Sequence, residues 1–488
     1  MTTLRDVVDS LQREGQLLEP PGSFPPLLGV ADDSRRVSPG ALFCAVVGTT
    51  RDGHEYLDDA ICRGAAALLV TRPGRYAVPA VVVRDSRVAA AVAAATWFGS
   101  PARRLRMVGV TGTNGKSTTV ALMRHLLNQA GTVGSVGTLG AFDGRGAAAG
   151  PEISLTTPGA VEYHAVLAAL AARGVTMVVT EASSHALDQR RLHGVEFAAA
   201  VYTNLTHDHL DYHKDLQAYL AAKLLLSTQV QEGGVEAVNG DDRAWDALPP
   251  DSRRRRVTYA VHRPADVRAS DIKLGAEGTE LTMSFGKDAQ AVRLPLIGEF
   301  NVSNALAAAA TAWGLGLRPA EAADRLAGAP QVPGRMERLA SDGFVVLRDY
   351  AHTPDALERA IRALRPLARG RLIVLFGCGG DRDRRKRSVM GRIAARGADL
   401  PIVTSDNPRS EDADAIIDEI EAGMEGIAHL RITDRREAIT RAISLLQPGD
   451  CLLLAGKGHE TYQIIGDRRL PFDEREIVRD LLARPVRP

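Results

Sequence analysis

The stretch Leu105–Thr119, LRMVGVTGTNGKSTT, changes character halfway along. Met107–Val110 is a short apolar, β-branched run, and Gly112–Ser117, GTNGKS, follows it as a glycine-rich loop ending in Gly-Lys-Ser. The residues after it, STTVALMRHLLNQAG, carry the spacing of a helix. Strand, glycine loop, lysine, hydroxyl and helix in this order describe a phosphate cradle. Gly112 and Gly115 let successive N–H groups turn inward, Lys116 adds a mobile positive charge, and Ser117 stands at a helix start whose dipole favours anions. The strict Walker A spacing is missed, because its first glycine would fall at Val110. The Ser117 hydroxyl is still placed to reach a Mg²⁺ on the β/γ-phosphates.

The same architecture is expected along the chain after this loop. Apolar runs at Met177–Thr180, Ala199–Tyr202, Val345–Leu347, Leu372–Phe376, Ile402–Thr404 and Cys451–Leu454 alternate with helical patterns, which predicts parallel α/β sheets. The polar segments EASSH, TNLTHDHLDYH, DYAHTP, GCGGDRD, SDNPR and GKGHE each follow a strand's carboxyl end, where open α/β sheets bind ligands. A smaller unit without a phosphate loop precedes residue 100, and Pro/Gly-rich LAGAPQVPGRMER at Leu326–Arg338 marks a second break. Three domains are expected: 1–100, 101–332 and 333–488.

Composition narrows the function classes. The 488 residues are 45% hydrophobic and 24% charged, as in chains that fold, and Lys+Arg (60) balances Asp+Glu (59) to a net charge of +1. Such a balance offers no field for nucleic acid or an acidic membrane, and SRRRRV at Ser252–Val257 reads as a solvated loop. Cys44, Cys62, Cys378 and Cys451 lie too far apart for a disulfide framework or a structural zinc motif. The N-terminus lacks a signal-peptide core, and the alanine-rich run Ala89–Phe98 is too short to cross a bilayer. A cytoplasmic protein is expected.

Three features could supply metal ligands. Glu181, just past its strand, reads either as a helix cap or as a second ligand for the magnesium at Ser117. Asn204–His213 packs three histidines and two aspartates into NLTHDHLDYH. His207, His209 and His213 lack common zinc spacing, and a second Mg²⁺ taking one imidazole and several oxygens suits them better. Lys223 falls in the helical stripe Leu216, Tyr219, Leu220, Leu224. Periodicity alone favours a lysine that snorkels to water. The alternative is that burial yields the neutral amine, which CO₂ converts to an anionic carbamate ligand.

Ten segments together resemble the ATP-dependent Mur ligases, in order from about Asp33 to Glu460: GVTGTNGKST, EASSHALDQRR, TNLTHDHLDYH, AYLAAK, GEFNVSNALAA, PGRMER, DYAHTPDALE, GCGGDRDRRKR, DNPRSED and AGKGHETYQ. Within that family they are most similar to the members that add the third residue of the peptidoglycan stem peptide. The resemblance implies an α/β, three-domain Mur ligase architecture: an N-terminal UDP-substrate domain, a central P-loop parallel-sheet ATPase domain and a C-terminal Rossmann-like domain that selects the amino acid. It also implies that Gly112, Thr113, Asn114, Gly115, Lys116, Ser117 and Thr118 hold the ATP phosphates. Asn301, Asn304, Arg335, Asp349 and His352 would reach the adenosine and γ-phosphate. Ser117 and Glu181 would serve one Mg²⁺, with His209 and a carbamylated Lys223 serving another.

For the UDP-N-acetylmuramoyl-dipeptide, the resemblance implies Ser34, Thr49, Thr50, Arg51, Thr156, Thr157, Ser183, Gln189 and Arg191. For meso-diaminopimelate it implies Arg387, Asp406, Asn407, Pro408, Arg409, Gly456 and Glu460, with Arg409 taking the distal carboxylate in a two-pronged bond. DNPR taken alone is equally a turn with an exposed arginine. The implied reaction is ATP-driven amide formation through an acyl phosphate, carried out by a monomer with no nucleic-acid or membrane partner. Leu155, Asp32 and Ser117 (serine rather than threonine) depart from relatives. L-Lysine as the amino acid, a folylpoly-γ-glutamate synthetase and a P-loop NTPase switch are the competing readings.

Overall fold

The computed structural model describes residues 2–153, 155–206, 208–209 and 212–483. The chain divides into two compact units, Met1–Ala269 with Met283–Ala289 and Ser303–Ala322, and Ser270–Thr282 with Gln290–Val302 and Ala323–Pro488.

The first unit begins with a small sheet in the order Leu17–Glu19, Ala80–Val83, Ala67–Val70, Ala41–Cys44, Gly29–Ala31, parallel except for its first pair. Its central strands are short continuous apolar runs because both faces are covered. On one face lie the helices Leu4–Arg13 and Ser86–Trp97, which bury Leu4, Val7, Val8 and Leu11 and Val88–Ala90 against Leu42, Leu69 and Val81. The alanine-rich run is thus a largely buried helix, started by the Asp85 side chain accepting from the N–H groups of Arg87 and Val88.

The larger sheet of this unit carries, in order, Arg255–Ala260, Val230–Asn239, Phe197–Tyr202, Arg106–Thr111, Met177–Glu181 and Val133–Gly137, all parallel, and then Gly140–Phe142 as an antiparallel edge. Arg106–Thr111 lies between strands reached in opposite directions, so the loop after Thr111 leaves the sheet at its topological switch point. The register places Glu181 beside Val110, and Tyr202 beside Thr111.

The basic run is a solvated turn only in part: Ser252 and Arg253 are exposed before the strand begins. Arg255 and Arg256 begin the strand Arg255–Ala260, and Glu236 on the neighbouring strand pairs with Arg254 at 3.4 Å and Arg256 at 2.9 Å. Glu236 is buried, so the arginines neutralise a charge that could not stand alone there.

His164, on the helix Ala160–Ala172, is buried with neither ring nitrogen hydrogen-bonded, and burial pushes its pKa down to about 4. The unfolded chain takes up this proton near pH 6.5 and the native state does so only near pH 4. Stability is therefore lost as pH falls through that window, by up to about 3 kcal/mol. His164→Leu is expected to flatten this part of the curve, so that between pH 7 and 4.5 the parent loses about 2 kcal/mol more than the variant in urea unfolding. Parallel pH dependences would refute the assignment.

In the second unit the sheet order is Glu337–Ser341, Val345–Asp349, Cys451–Ala455, Leu372–Phe376, Leu400–Val403, Leu430–Arg431, with only the first pair antiparallel. Leu372, Val374 and Phe376 face one core cluster, and Ile373 and Leu375 the other, as strand alternation requires. The strand expected at Ile402–Thr404 runs Leu400–Val403 and stops one residue short of Thr404. The antiparallel hairpin Tyr462–Ile465 and Arg468–Pro471 follows the strand Cys451–Ala455.

Candidate active site

The phosphate loop is strapped to the segment after the neighbouring strand. Thr113 N–H donates to the Asn204 carbonyl at 2.7 Å, Asn114 N–H to Asn204 Oδ1 at 2.9 Å, and Thr203 Oγ1 to the Asn114 carbonyl at 2.7 Å. This crowding explains the glycines. Gly112 has φ +146° and a Cβ there would lie 1.8 Å from Thr203 Oγ1; Gly115 has φ +84° and its Cβ would lie 2.2 Å from Asn304 Oδ1. The helix begins at Lys116 and ends at Leu127, with Ser117 and Thr118 buried in its first turn. Lys116 Nζ donates to the carbonyls of Gly112 and Thr113 at 2.9 and 2.8 Å, folding back over the loop it serves.

Glu181 is the last residue of its strand, not a helix cap; the following helix Ser184–Asp188 is capped by Ser183. The Glu181 carboxylate is buried and accepts from Thr138 N–H at 2.8 Å and Thr138 Oγ1 at 3.3 Å. Thr138 Oγ1 also lies 3.1 Å from Thr156 Oγ1. Thr157 Oγ1 donates to the Glu181 carbonyl at 2.7 Å and lies 3.1 Å from Ser183 Oγ. Arg191 Nη1 reaches the Thr157 carbonyl at 2.8 Å, and its Nε and Nη2 grip Gln189 Oε1. Thr156, Thr157, Ser183, Gln189 and Arg191 therefore form one connected polar group beside Glu181. Near Gly159, Asp32 Oδ2 would be 3.1 Å from an added Cβ, and burial raises the Asp32 pKa. Ser34 is buried in the short turn Ser34–Arg36, while Thr49, Thr50 and Arg51 are exposed, with Arg51 Nη1 3.3 Å from Tyr56 Oη.

His207 lies outside the described residues. His209 has φ +54°, and its ring meets His185 edge-on at 4.8 Å, in a cluster that includes Tyr212, His213 and Tyr219. Lys223 does not snorkel. It is 1% exposed, its Nζ donates to the Gly112 carbonyl at 2.8 Å, and it sits 4.2 Å from the Tyr219 ring centroid. Burial, aided by the charge of Lys116, drives its pKa well below the ordinary lysine value. Leu216, expected in the same buried stripe, is exposed.

In the second unit Asp349 ends its strand, accepts from Met336 N–H at 2.7 Å and has its pKa raised by burial. Arg335 lies over the Tyr350 ring at 4.9 Å. His352 is held by the Tyr350 carbonyl at 2.7 Å, with its pKa lowered by burial. Asn301 and Asn304 stand one turn apart on the helix Glu299–Gly314, both buried, and Asn301 Nδ2 donates to the Ile297 carbonyl.

The segment Asp406–Arg409 crosses the carboxyl ends of this unit's strands and is not an exposed turn. Asn407 Nδ2 donates to Glu460 Oε2 at 2.9 Å, and Gly380 N–H to the Asn407 carbonyl at 2.9 Å. Pro408 is buried over Gly380. Arg409 has φ +53°, exchanges backbone bonds with Ile464 and Gly466, and extends Nη1 to the Gly380 carbonyl at 2.7 Å. Gly456, with φ +116°, lies against Asp406. Glu460 is raised above its usual pKa by burial. Arg387 is fully buried and already paired, Nη1 with Glu411 and Glu419 at 2.9 Å and Nη2 with Glu411 at 2.8 Å; its hydrogen bonds hold Glu411 down to a pKa of about 2.

Several participants escaped sequence reasoning. Thr138 carries no local signal, because the contacts that make it matter are tertiary, and His185 stood within EASSH without being singled out. Lys457 stood within GKGHE but was not singled out. Arg435 and Glu474 form a fully buried ion pair at 2.8 Å, from which Arg435 donates to the Ser405 and Ala455 carbonyls at 3.3 and 2.9 Å. It thereby ties together the ends of the two strands that carry Asp406 and Gly456.

Three family profiles match most of the chain: "Mur ligase family, catalytic domain" at residues 28–109, "Mur ligase middle domain" at 110–312 and "Mur ligase, glutamate ligase domain" at 334–458. A relative from Gloeobacter violaceus, named UDP-N-acetylmuramoyl-L-alanyl-D-glutamate--2,6-diaminopimelate ligase, is 43% identical over 94% of both chains. One of the same name from Synechococcus elongatus is 44% identical, again over 94% of each. A solved structure titled with that ligase name superposes with a TM-score of 0.69 at 32% identity, covering 99% of both chains. The chain belongs to the Mur ligase family.

Proposed function

We propose that the protein joins meso-diaminopimelate to UDP-N-acetylmuramoyl-L-alanyl-D-glutamate at the expense of ATP. The observation that carries this reading is the end-to-end relationship, at 43% and 44% identity over 94% of the chain, to two ligases of that name. The D-glutamyl carboxylate attacks the γ-phosphorus of ATP and ADP departs. The amine of diaminopimelate then adds to the acyl phosphate and expels phosphate.

The loop Gly112–Thr118 would hold the ATP phosphates through its N–H groups, with Lys116 turning from its own loop carbonyls to the γ-phosphate. Asn301, Asn304, Arg335, Asp349 and His352 would serve the rest of the nucleotide. Ser117 and Glu181 are hard oxygen donors whose chemistry fits one Mg²⁺. His209 with Lys223 fits a second once a carbamate replaces the amine. Bound magnesium would offset repulsion between the two reacting anions. Thr156, Thr157, Ser183, Gln189 and Arg191, with Ser34 and Thr49–Arg51, would bind the UDP-substrate.

At the amino-acid site Arg409 would take the distal carboxylate and Glu460 the distal ammonium, with Asp406, Asn407, Pro408 and Gly456 forming the bed. Arg387, paired through Nη1 and Nη2 with Glu411 and Glu419, would act by holding the loop in place. The same reading takes the protein as a cytoplasmic monomer; among the described residues no helix is long and apolar enough to cross a membrane.

Phosphate release from ATP and Mg²⁺ tests the reading. It is expected to require the UDP-dipeptide substrate and to be sustained by meso-diaminopimelate but not by L-lysine. Release independent of the UDP-substrate would favour an NTPase switch, and equal turnover with lysine would overturn the amino-acid assignment.

A further inference from the structure

Two carboxylates, Asp406 and Glu460, stand together in the segment assigned to the amino acid, and a buried cation stands between them. Lys457 is 0% exposed. Its Nζ donates to Asn407 Oδ1 at 3.0 Å and to the Tyr462 carbonyl at 2.8 Å, and it lies 3.3 Å from Asp406 Oδ1 and 3.6 Å from Glu460 Oε2. Asn407 Oδ1 also accepts from Ile464 N–H at 3.0 Å, which fixes the amide so that Nδ2 points at Glu460. An ammonium in this position has no route to water. Its charge is balanced only by the carboxylates beside it.

We propose that Lys457 is a positioning and specificity-determining residue for the amino-acid substrate. It fixes the Asn407–Glu460 pair, and it leaves two carboxylates with one surplus negative charge, matched to a single ammonium of the incoming zwitterion. This rests on the reading that Asp406–Arg409 and Glu460 bind the amino acid. Lys457 need not touch the substrate, because it acts through Asn407, Asp406 and Glu460. Without it the site carries two uncompensated carboxylates in partly buried surroundings, where one of them is driven to take up a proton. Among the described residues, Tyr350, His352 and Cys378 also interact with Asp406 or Glu460, and Tyr462, Arg335 and Lys386 stand next to those three. They are common to parent and variants, so the comparison reads only the change that loss of the Lys457 charge makes in the cluster.

The experiment measures KM for diaminopimelate, ATP and the UDP-substrate from pH 6 to 8 in the parent, Lys457→Met, Lys457→Gln and Arg409→Ala. Both Lys457 variants are expected to raise KM for diaminopimelate at least tenfold at pH 8, with a smaller change in kcat and unchanged KM for ATP. That increase should shrink towards pH 6, as a proton replaces the missing charge, while the parent shows no such recovery. An unchanged KM, a KM penalty independent of pH, or full restoration by glutamine would overturn the proposal. If both variants fail to fold, Asp406→Asn decides it: neutralising the surplus charge should raise KM for diaminopimelate tenfold, and an unchanged KM refutes it. Arg409→Ala separates the two levels. If that variant retains the parent KM, the site assignment itself fails; if it loses affinity while the Lys457 variants do not, only the role of Lys457 fails.

Discussion

Lys223→Ala is expected to lower ligase turnover by about 10³-fold, and added acetate or bicarbonate to restore part of it. Loss of a single preorganised charge stabiliser in a dry site costs on the order of 10² to 10³ in rate. Here the residue would be one of the donors to a metal. The amine is buried and close to the charge of Lys116, and both effects disfavour its charged form and push it towards the neutral amine. A neutral amine adds CO₂, releases one proton and becomes an anionic oxygen donor. An acid side chain on the same helical position would need a longer reach. A purely structural lysine predicts otherwise: Lys223→Met would preserve activity, and no small carboxylate would matter. The parent should also slow in buffers stripped of CO₂. Full activity in Lys223→Ala would remove the carbamate from the account.

What the sequence shows about this site follows from how local each signal is. The cradle at Gly112–Ser117 is legible because its glycines, lysine and helix start are neighbours in the chain. Both glycines prove to be demanded by contacts, with Thr203 and with Asn304. Asp406–Arg409 is legible by its position after a strand, yet its support is not. The buried cations Lys457 and Arg435 and their carboxylates come from four separate segments that only the sheet order brings together. Periodicity misjudged Lys223 in a similar way, since snorkelling presumes a path to water and that path is filled by a carbonyl 111 residues upstream. The arginines at 254 and 256 read as solvated for the same reason: Glu236, their partner, lies on the adjacent strand.

Arg409→Ala is expected to cost about 10²-fold in kcat/KM for diaminopimelate and to leave turnover with L-lysine, if any is detectable, nearly unchanged. The guanidinium is half-buried and rests on the Gly380 carbonyl, held by a backbone that exchanges bonds with Ile464 and Gly466. Arginine at a left-handed φ is uncommon, and the strain is accepted where neighbouring bonds fix it. A fully buried, unpaired charge would cost about 3 to 5 kcal/mol. Half-burial leaves some hydration, so the lower figure of a charge-assisted bond, about 2 to 3 kcal/mol, is the better expectation, and that corresponds to roughly 10² in rate. Lysine as substrate offers no distal carboxylate, so the parent binds it with the Arg409 charge unmatched, and removing that charge gives lysine nothing to lose. The ratio of the two kcat/KM values, measured in one assay, is therefore the discriminating quantity: it should collapse in Arg409→Ala through the diaminopimelate term alone. A variant that keeps the parent ratio would show that selection between the two amino acids is made elsewhere on this sheet edge.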